Sequence, residues 1–160
     1  MTVAEGQVDR LAVQDLLAEY GGLLDLGRYD DWLALFAAEC RYSVLPRENF
    51  DQGLPVALIL CDNRGMLEDR IMALREANKY NIHIDRHLIG LPRIAAARPG
   101  AIDIEAPFAV YQTDQEGETR LFAAGLYRDR LETAGEGLRI VEKLVLLDTS
   151  AVPTLLATPL

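Results

Sequence analysis

The chain has 160 residues, half of them apolar, and carries 25 acidic against 16 basic side chains for a net charge of −9. That length fits one domain of ordinary size, 1–160, with enough apolar content to bury a core without disulfide or metal staples. The acidic balance speaks against nucleic acid and anionic lipid as partners, since both select basic surfaces.

Two cysteines, Cys40 and Cys61, stand outside any ligand or redox spacing and read as reduced core thiols of a cytosolic protein. The first residues, Met-Thr-Val-Ala-Glu-Gly-Gln, lack a basic segment followed by an apolar one, and no apolar run approaches membrane-spanning length. The expectation is a soluble, cytoplasmic chain.

Residues 7–26 place Val8, Leu11, Leu16, Leu17, Leu23 and Leu24 at helical spacing, with Asp15, Glu19 and Asp25 on other faces. Gly21-Gly22 is a costly interior pair, about 1 kcal/mol per glycine against alanine, and suits the close approach of another backbone. Gly27 is placed to cap the helix. A shorter second helix starts near Tyr29, where Asp30 and Asp31 meet the free N–H groups and positive end of the dipole. Its apolar stripe is Trp32, Leu35 and Phe36.

Residues 40–45 alternate weakly and stop at Pro46, as a first strand does, and 47–53 read as a polar loop. The apolar run 54–60 reads as a buried strand or core turn, and Cys-Asp-Asn-Arg-Gly after it breaks the run and starts a helix. That third helix has Leu67, Ile71, Leu74 and Asn78 on one stripe and Glu68, Arg75 and Lys79 away from it. Beyond His87 the period becomes two. Ile102, Ile104, Ala106, Phe108 and Val110 form one set, Leu121, Ala123, Tyr127 and Leu131 a second, and Leu138, Ile140, Leu144 and Leu146 a third. Asp-Gln-Glu-Gly at 114–117 and Ala-Gly-Glu-Gly at 134–137 are hairpin signals, and such short links require antiparallel pairing. Gly125 and Pro92 mark expected bulges. The sum is an α+β cone, with N-terminal helices packed on the concave face of a curved, mainly antiparallel sheet.

His83, Asp85 and His87 are spaced by two and share one face if the segment is extended. Two imidazoles and a carboxylate are the ligand types of a non-haem iron site, although one strand does not easily wrap an ion. The same His–carboxylate set suits a general base, with Tyr20, Tyr42 or Tyr111 offering a phenol to a developing enolate. The structural alternative has His87 hydrogen-bonded in the sheet and His83 in the loop before it. Asp62, Arg64, Glu68, Asp69 and Arg70 form a charge cluster in which Arg64 and Glu68 sit four apart and can pair; beside an apolar run it suits an interface between elements or subunits. Leu155, Leu156 and Leu160 expose apolar area unless the cone's own flank or a neighbouring chain covers them, and a neighbour is the favoured cover. No nucleophile elbow, phosphate loop, dinucleotide fingerprint or Cys/His metal cluster is present.

Several segments together resemble the small (beta) subunit of aromatic-ring-hydroxylating, Rieske-type dioxygenases, those of terephthalate- and salicylate-type oxygenases in particular. They are Trp-Leu-Ala-Leu-Phe from 32, Cys-Asp-Asn-Arg-Gly-Met-Leu-Glu-Asp-Arg from 61, Arg-Glu-Ala-Asn-Lys-Tyr from 75, Arg-His-Leu from 86 and the closing Thr-Leu-Leu-Ala-Thr-Pro-Leu from 154. The resemblance implies a cystatin-like cone, shared with ketosteroid isomerase, scytalone dehydratase and nuclear transport factor 2. It implies a non-catalytic chain with no cofactor of its own, the Rieske [2Fe-2S] cluster and mononuclear non-haem iron belonging to the large (alpha) subunit. It further implies an alpha3beta3 hexamer with a beta trimer, in which 54–70 and the C-terminal tail make subunit contacts. Because the cone also hosts isomerases and dehydratases, a free-standing isomerase, dehydratase or cyclase using Asp85 or His87 as base is the alternative, and a binding cone for a small apolar ligand a third.

Overall fold

Asp9 starts the first helix. In the computed structural model, which describes residues 8–77, 82–135, 137–148 and 158–160, its carboxylate accepts from the N–H groups of Leu11 and Ala12 at 3.0 and 3.1 Å. Helix α1 runs Arg10–Asp25. It ends on Gly27, whose φ of 68° lets Arg28 N–H reach the Leu23 carbonyl and Gly27 N–H the Leu24 carbonyl, a Schellman closure. Leu11, expected on the buried stripe, is 65% exposed, while Tyr20 and Val13 are fully buried.

Helix α2 (Tyr29–Leu33) stops earlier than its apolar stripe suggests, because Phe36 already begins strand β1 (Phe36–Pro46). Residues 47–53 are not a plain loop: α3 (Arg47–Asp51) forms one helical turn there, closed by Gly53 at φ 67°. The run 54–60 corrects the sequence expectation further. Only β2 (Ile59–Cys61) is strand, and Leu54, Val56, Leu58 and Leu60 all face solvent. Helix α4 (Arg64–Ala77) starts where expected, with the Asn63 side chain accepting from Met66 N–H at 2.9 Å. It buries Leu67, Ile71 and Leu74; Asn78 and Lys79 lie outside the described residues.

The remaining strands are β3 (Ile84–Ile89), β4 (Arg93–Arg98), β5 (Ala101–Thr113), β6 (Thr119–Ala134) and β7 (Gly137–Leu147). All seven join one sheet in the order β2-β1-β7-β6-β5-β3, with β4 sharing the outer edge of β5. Pairing is antiparallel except between β1 and β7, which run parallel because β1 arrives from the helices and enters the sheet beside its last strand.

The bulges fall elsewhere than expected. Gly125 is in register with Phe108 on one side and Leu147 on the other, and Pro92 lies in the β3–β4 connection. Register shifts interrupt β1–β7 between Phe36 and Arg41 and β4–β5 between Ile94 and Ala96; in β6 and β7 the extra residues are Phe122, since Val110 pairs Ala123 and Tyr111 pairs Leu121, and Val141, since Leu131 pairs Ile140 and Arg130 pairs Glu142. Each bulge inverts the alternation beyond it. Leu121 therefore turns out to solvent, and Lys143, Val145 and Leu147 turn in. The helix-covered face closes over an aromatic centre: Tyr20, Trp32, Phe36 and Tyr42 meet at 4.8–6.4 Å between ring centroids, and Phe108 stacks on Tyr127 at 4.2 Å.

Candidate functional site

Asp85 and His87 share the inward side of β3, with His83 in the loop before it, but two separate pairs form there. His83, in the loop before the strand, brings Nε2 to 3.4 Å from Asp85, and the Gln112 amide donates to the other Asp85 oxygen at 3.2 Å. His87 pairs instead with Asp25 at the end of α1. Its Nδ1 donates to Asp25 Oδ1 at 2.6 Å, and its main-chain N–H reaches both carboxylate oxygens at 3.1 Å. Asp25 is the partner that sequence reasoning assigned to the helix's polar side.

The His87 side chain is 1% exposed, and its Nε2 is buried. His87 borders a groove of about 650 Å³ between α1 and β3, with its imidazole withdrawn from solvent. Gly21 explains the proximity, because a Cβ there would lie 3.1 Å from His87 Cβ and Ile89 Cδ1. Asp85 and His87 thus do not combine into one acid–base device. Among the described residues no three His, Cys, Asp or Glu side chains gather around a point that a metal ion could occupy.

The charge cluster at the start of α4 is tied down locally. Arg64 pairs with Glu68 at 3.0 Å, as the spacing predicts, and also donates to the Phe36 carbonyl at 3.0 Å. Asp62 meets Arg41 of β1 at 3.3 Å. Asp69 is exposed and Arg70 half-buried on the same helix.

The polar centre lies deeper, on residues that sequence reasoning missed. Lys143 Nζ donates to Asp129 at 2.9 Å, with neither side chain exposed. The ammonium lies 3.4 Å from the Tyr127 ring centroid and 4.0 Å from that of Tyr20. Burial pulls the Lys143 pKa down and pushes that of Asp129 up, each opposed by the attraction of the other. Burial likewise raises the phenols of Tyr20, Tyr42 and Tyr127, so all three stay protonated. A signal for Asp129 existed: it falls between Tyr127 and Leu131 on the inward register, where an acid needs a buried partner. Lys143 was hidden by the bulge at Val141.

Leu160 closes this interior. It is 1% exposed, its main-chain oxygen accepts from the Tyr20 hydroxyl at 2.6 Å and that of Tyr42 at 3.2 Å, and its N–H donates to Tyr42 at 2.8 Å. The chain's own cone therefore covers Leu160, not a neighbour. Leu155 and Leu156 lie outside the described residues.

The family model described as ring hydroxylating beta subunit matches residues 21–154. The chain belongs to the ring-hydroxylating beta subunit family. Across 88% of both sequences it is 44% identical to the anthranilate 1,2-dioxygenase small subunit of Burkholderia cepacia. It is 35% identical to a beta subunit of the terephthalate 1,2-dioxygenase terminal oxygenase of a Comamonas species, over 96% of this chain and 99% of that one. Among solved structures it superposes with a TM-score of 0.86 and 42% identity on the beta subunit of a provisionally assigned aromatic-ring-hydroxylating dioxygenase from Novosphingobium aromaticivorans, covering 94% and 96% of the two chains. A Nostoc punctiforme protein with a cystatin-like fold matches at a TM-score of 0.69 and 14% identity, which shows the shared architecture alone. This beta subunit is thus an α+β cystatin-like cone. Among its described residues no helix is long and apolar enough to cross a membrane.

Proposed function

We propose that this chain is the non-catalytic structural beta subunit of a cytoplasmic aromatic-ring-hydroxylating dioxygenase that dihydroxylates an aromatic carboxylate, as the names of its anthranilate and terephthalate relatives suggest. In this reading residues 1–160 act as one domain, three copies form a trimer within an alpha3beta3 hexamer, and the large alpha subunit holds the Rieske [2Fe-2S] cluster and the mononuclear iron. One contrast supports it most. The interior that a cone enzyme would keep open is filled and sealed by Leu160, whereas Phe50, Leu54, Val56, Leu58 and Leu60 leave an apolar strip in solvent. Asp62, Arg64, Glu68, Asp69 and Arg70 follow that segment in the chain, with Asp62 paired to Arg41 and Arg64 to Glu68, and paired charge beside apolar surface orients a specific contact.

The test is assembly. Light scattering after size exclusion of the chain mixed with its large subunit is expected to find one complex, and a clean monomer that ignores the large subunit overturns the reading. Val56→Asp with Leu60→Asp is expected to reduce the complex while changing the isolated chain's stability by no more than about 1 kcal/mol, about 0.5 for each surface substitution. His87→Ala separates the rival: the structural reading expects lower stability with unchanged turnover per assembled complex, and a cone enzyme expects lost turnover with assembly intact.

A further inference from the structure

The two ends of the sheet carry different surfaces. At one end β2 and the segment before it present Leu54, Val56, Leu58 and Leu60, which are 40–63% exposed. At the other end, beside β3, lies the groove of about 650 Å³. Ala18, Gly21 and Gly22 of α1 line one side of it, and Leu88, Leu91 and Pro92 line the other. Leu88 and Leu91 are 54% and 78% exposed, so the groove too leaves apolar area in water.

Gly22 sets the groove apart. The close approach of His87 accounts for Gly21, but a Cβ at Gly22 would meet nothing within 4 Å. Glycine weakens a helix interior and suits a place where another group comes close to the main chain. No described residue makes that approach to Gly22.

Each surface also has an uncommitted charge. In the groove His87 takes up the Asp25 carboxylate, and the Arg86 guanidinium, 66% exposed, comes no nearer to Asp25 than 3.8 Å. Beside the apolar run Asp51 is exposed, and its carboxylate has no ion pair among the described residues, whereas Asp62 is held by Arg41. One end of the sheet therefore offers a cation in an apolar groove, and the other an acid beside an apolar run.

A ring of three identical chains needs this asymmetry. Its contacts are head-to-tail, so every copy must present two different surfaces that fit each other. We infer that, in the proposed trimer, the 54–60 run of one copy lies in the α1–β3 groove of the next. Its apolar side chains meet Gly22, Leu88 and Leu91, and its Asp51 faces Arg86. The inference rests on the reading of this chain as a trimeric beta subunit and assigns the surfaces that join the copies.

Two variants of the full chain divide the contact. Gly22→Leu fills the groove and leaves the run intact, while Val56→Asp with Leu60→Asp spoils the run and leaves the groove intact. Gly22, Val56 and Leu60 are all exposed, so both variants are expected to fold, which thermal melts check. Leu91→Asp replaces Gly22→Leu if the latter melts early. In sedimentation equilibrium the unaltered chain is expected to be a trimer, and each variant alone to associate about tenfold more weakly or less. An equimolar mixture of the two variants is expected to form a dimer and stop there, because one intact run meets one intact groove and the ring cannot close.

A trimer that survives the groove variant, a mixture that stays monomeric, or an unaltered chain that is monomeric or dimeric overturns the inference. Binding to the large subunit is measured on the same samples. A groove variant that stays trimeric but loses the large subunit makes that subunit the groove's occupant, and the inference fails. An unaltered monomer that still binds the large subunit also sinks the inference but leaves the beta-subunit reading standing. A trimer that dissolves as expected in both variants yet ignores the large subunit keeps the contact and removes that reading.

Discussion

Lys143 and Asp129 form an ion pair of 2.9 Å with both side chains fully withdrawn from water, facing each other across β7 and β6. A buried pair is close to neutral for stability as a unit, but removing one partner strands the other charge. Lys143→Met is therefore expected to lower the unfolding free energy by about 3–5 kcal/mol, and Lys143→Met with Asp129→Leu to recover most of that loss. Urea titration of the three proteins measures it; a double variant no better than the single one would show the pair's environment, and not the stranded charge, to set the cost.

Three glycines make contrasting predictions. At Gly125 an added Cβ would fall 1.8 Å from the Leu146 carbonyl oxygen, inside the β6–β7 ladder. Gly125→Ala is expected to cost more than about 3 kcal/mol or to prevent folding, since main chain cannot yield as a side chain does. Gly22, with nothing within 4 Å on α1, should accept alanine with a gain of about 0.5–1 kcal/mol. Gly21→Ala presses on His87, which Asp25 holds in place, and should cost about 1 kcal/mol. Thermal melts of the three variants rank them directly.

Asp103 predicts an acid-limb response. On the outer face Arg98 and Arg130 bind it at 2.8 and 2.9 Å, beside a second shared carboxylate, Glu105, that Arg93 and Arg128 clamp. Hydrogen bonds from Arg98 and Arg130 lower its pKa from 3.8 to about 2. A carboxyl whose pKa is depressed in the folded state adds stability above its unfolded pKa and loses it as pH falls through the folded one. Asp103→Asn is accordingly expected to reduce stability at neutral pH and to flatten its decline between about pH 4 and 2. Denaturation midpoints of both proteins across that range test it, and parallel slopes would refute it.

Much of this architecture was legible in order. Gly27 ends α1, the Cys-Asp-Asn-Arg-Gly break starts α4, and the turns after Asp114 and Ala134 link antiparallel strands, because caps and turns depend on a few adjacent residues. The alternation of β5 named its buried set, Ile102 to Val110, correctly. The missing metal and cofactor motifs, with the family resemblance, already pointed to a beta subunit.

Tertiary structure decided the rest, for reasons of register and reach. One unpaired residue at Phe122 and another at Val141 reversed which side chains face inward, and that exchange, invisible to local alternation, brought Lys143 to Asp129. The His83–Asp85–His87 pattern was readable, but its division was not, because Asp25 reaches His87 from 62 residues away. An apolar run reads alike whether buried or docking, and only the fold left Leu54, Val56, Leu58 and Leu60 in solvent and drew Leu160 onto Tyr20 and Tyr42. Hydrophobicity sets how much surface seeks cover; three-dimensional packing sets which surface provides it.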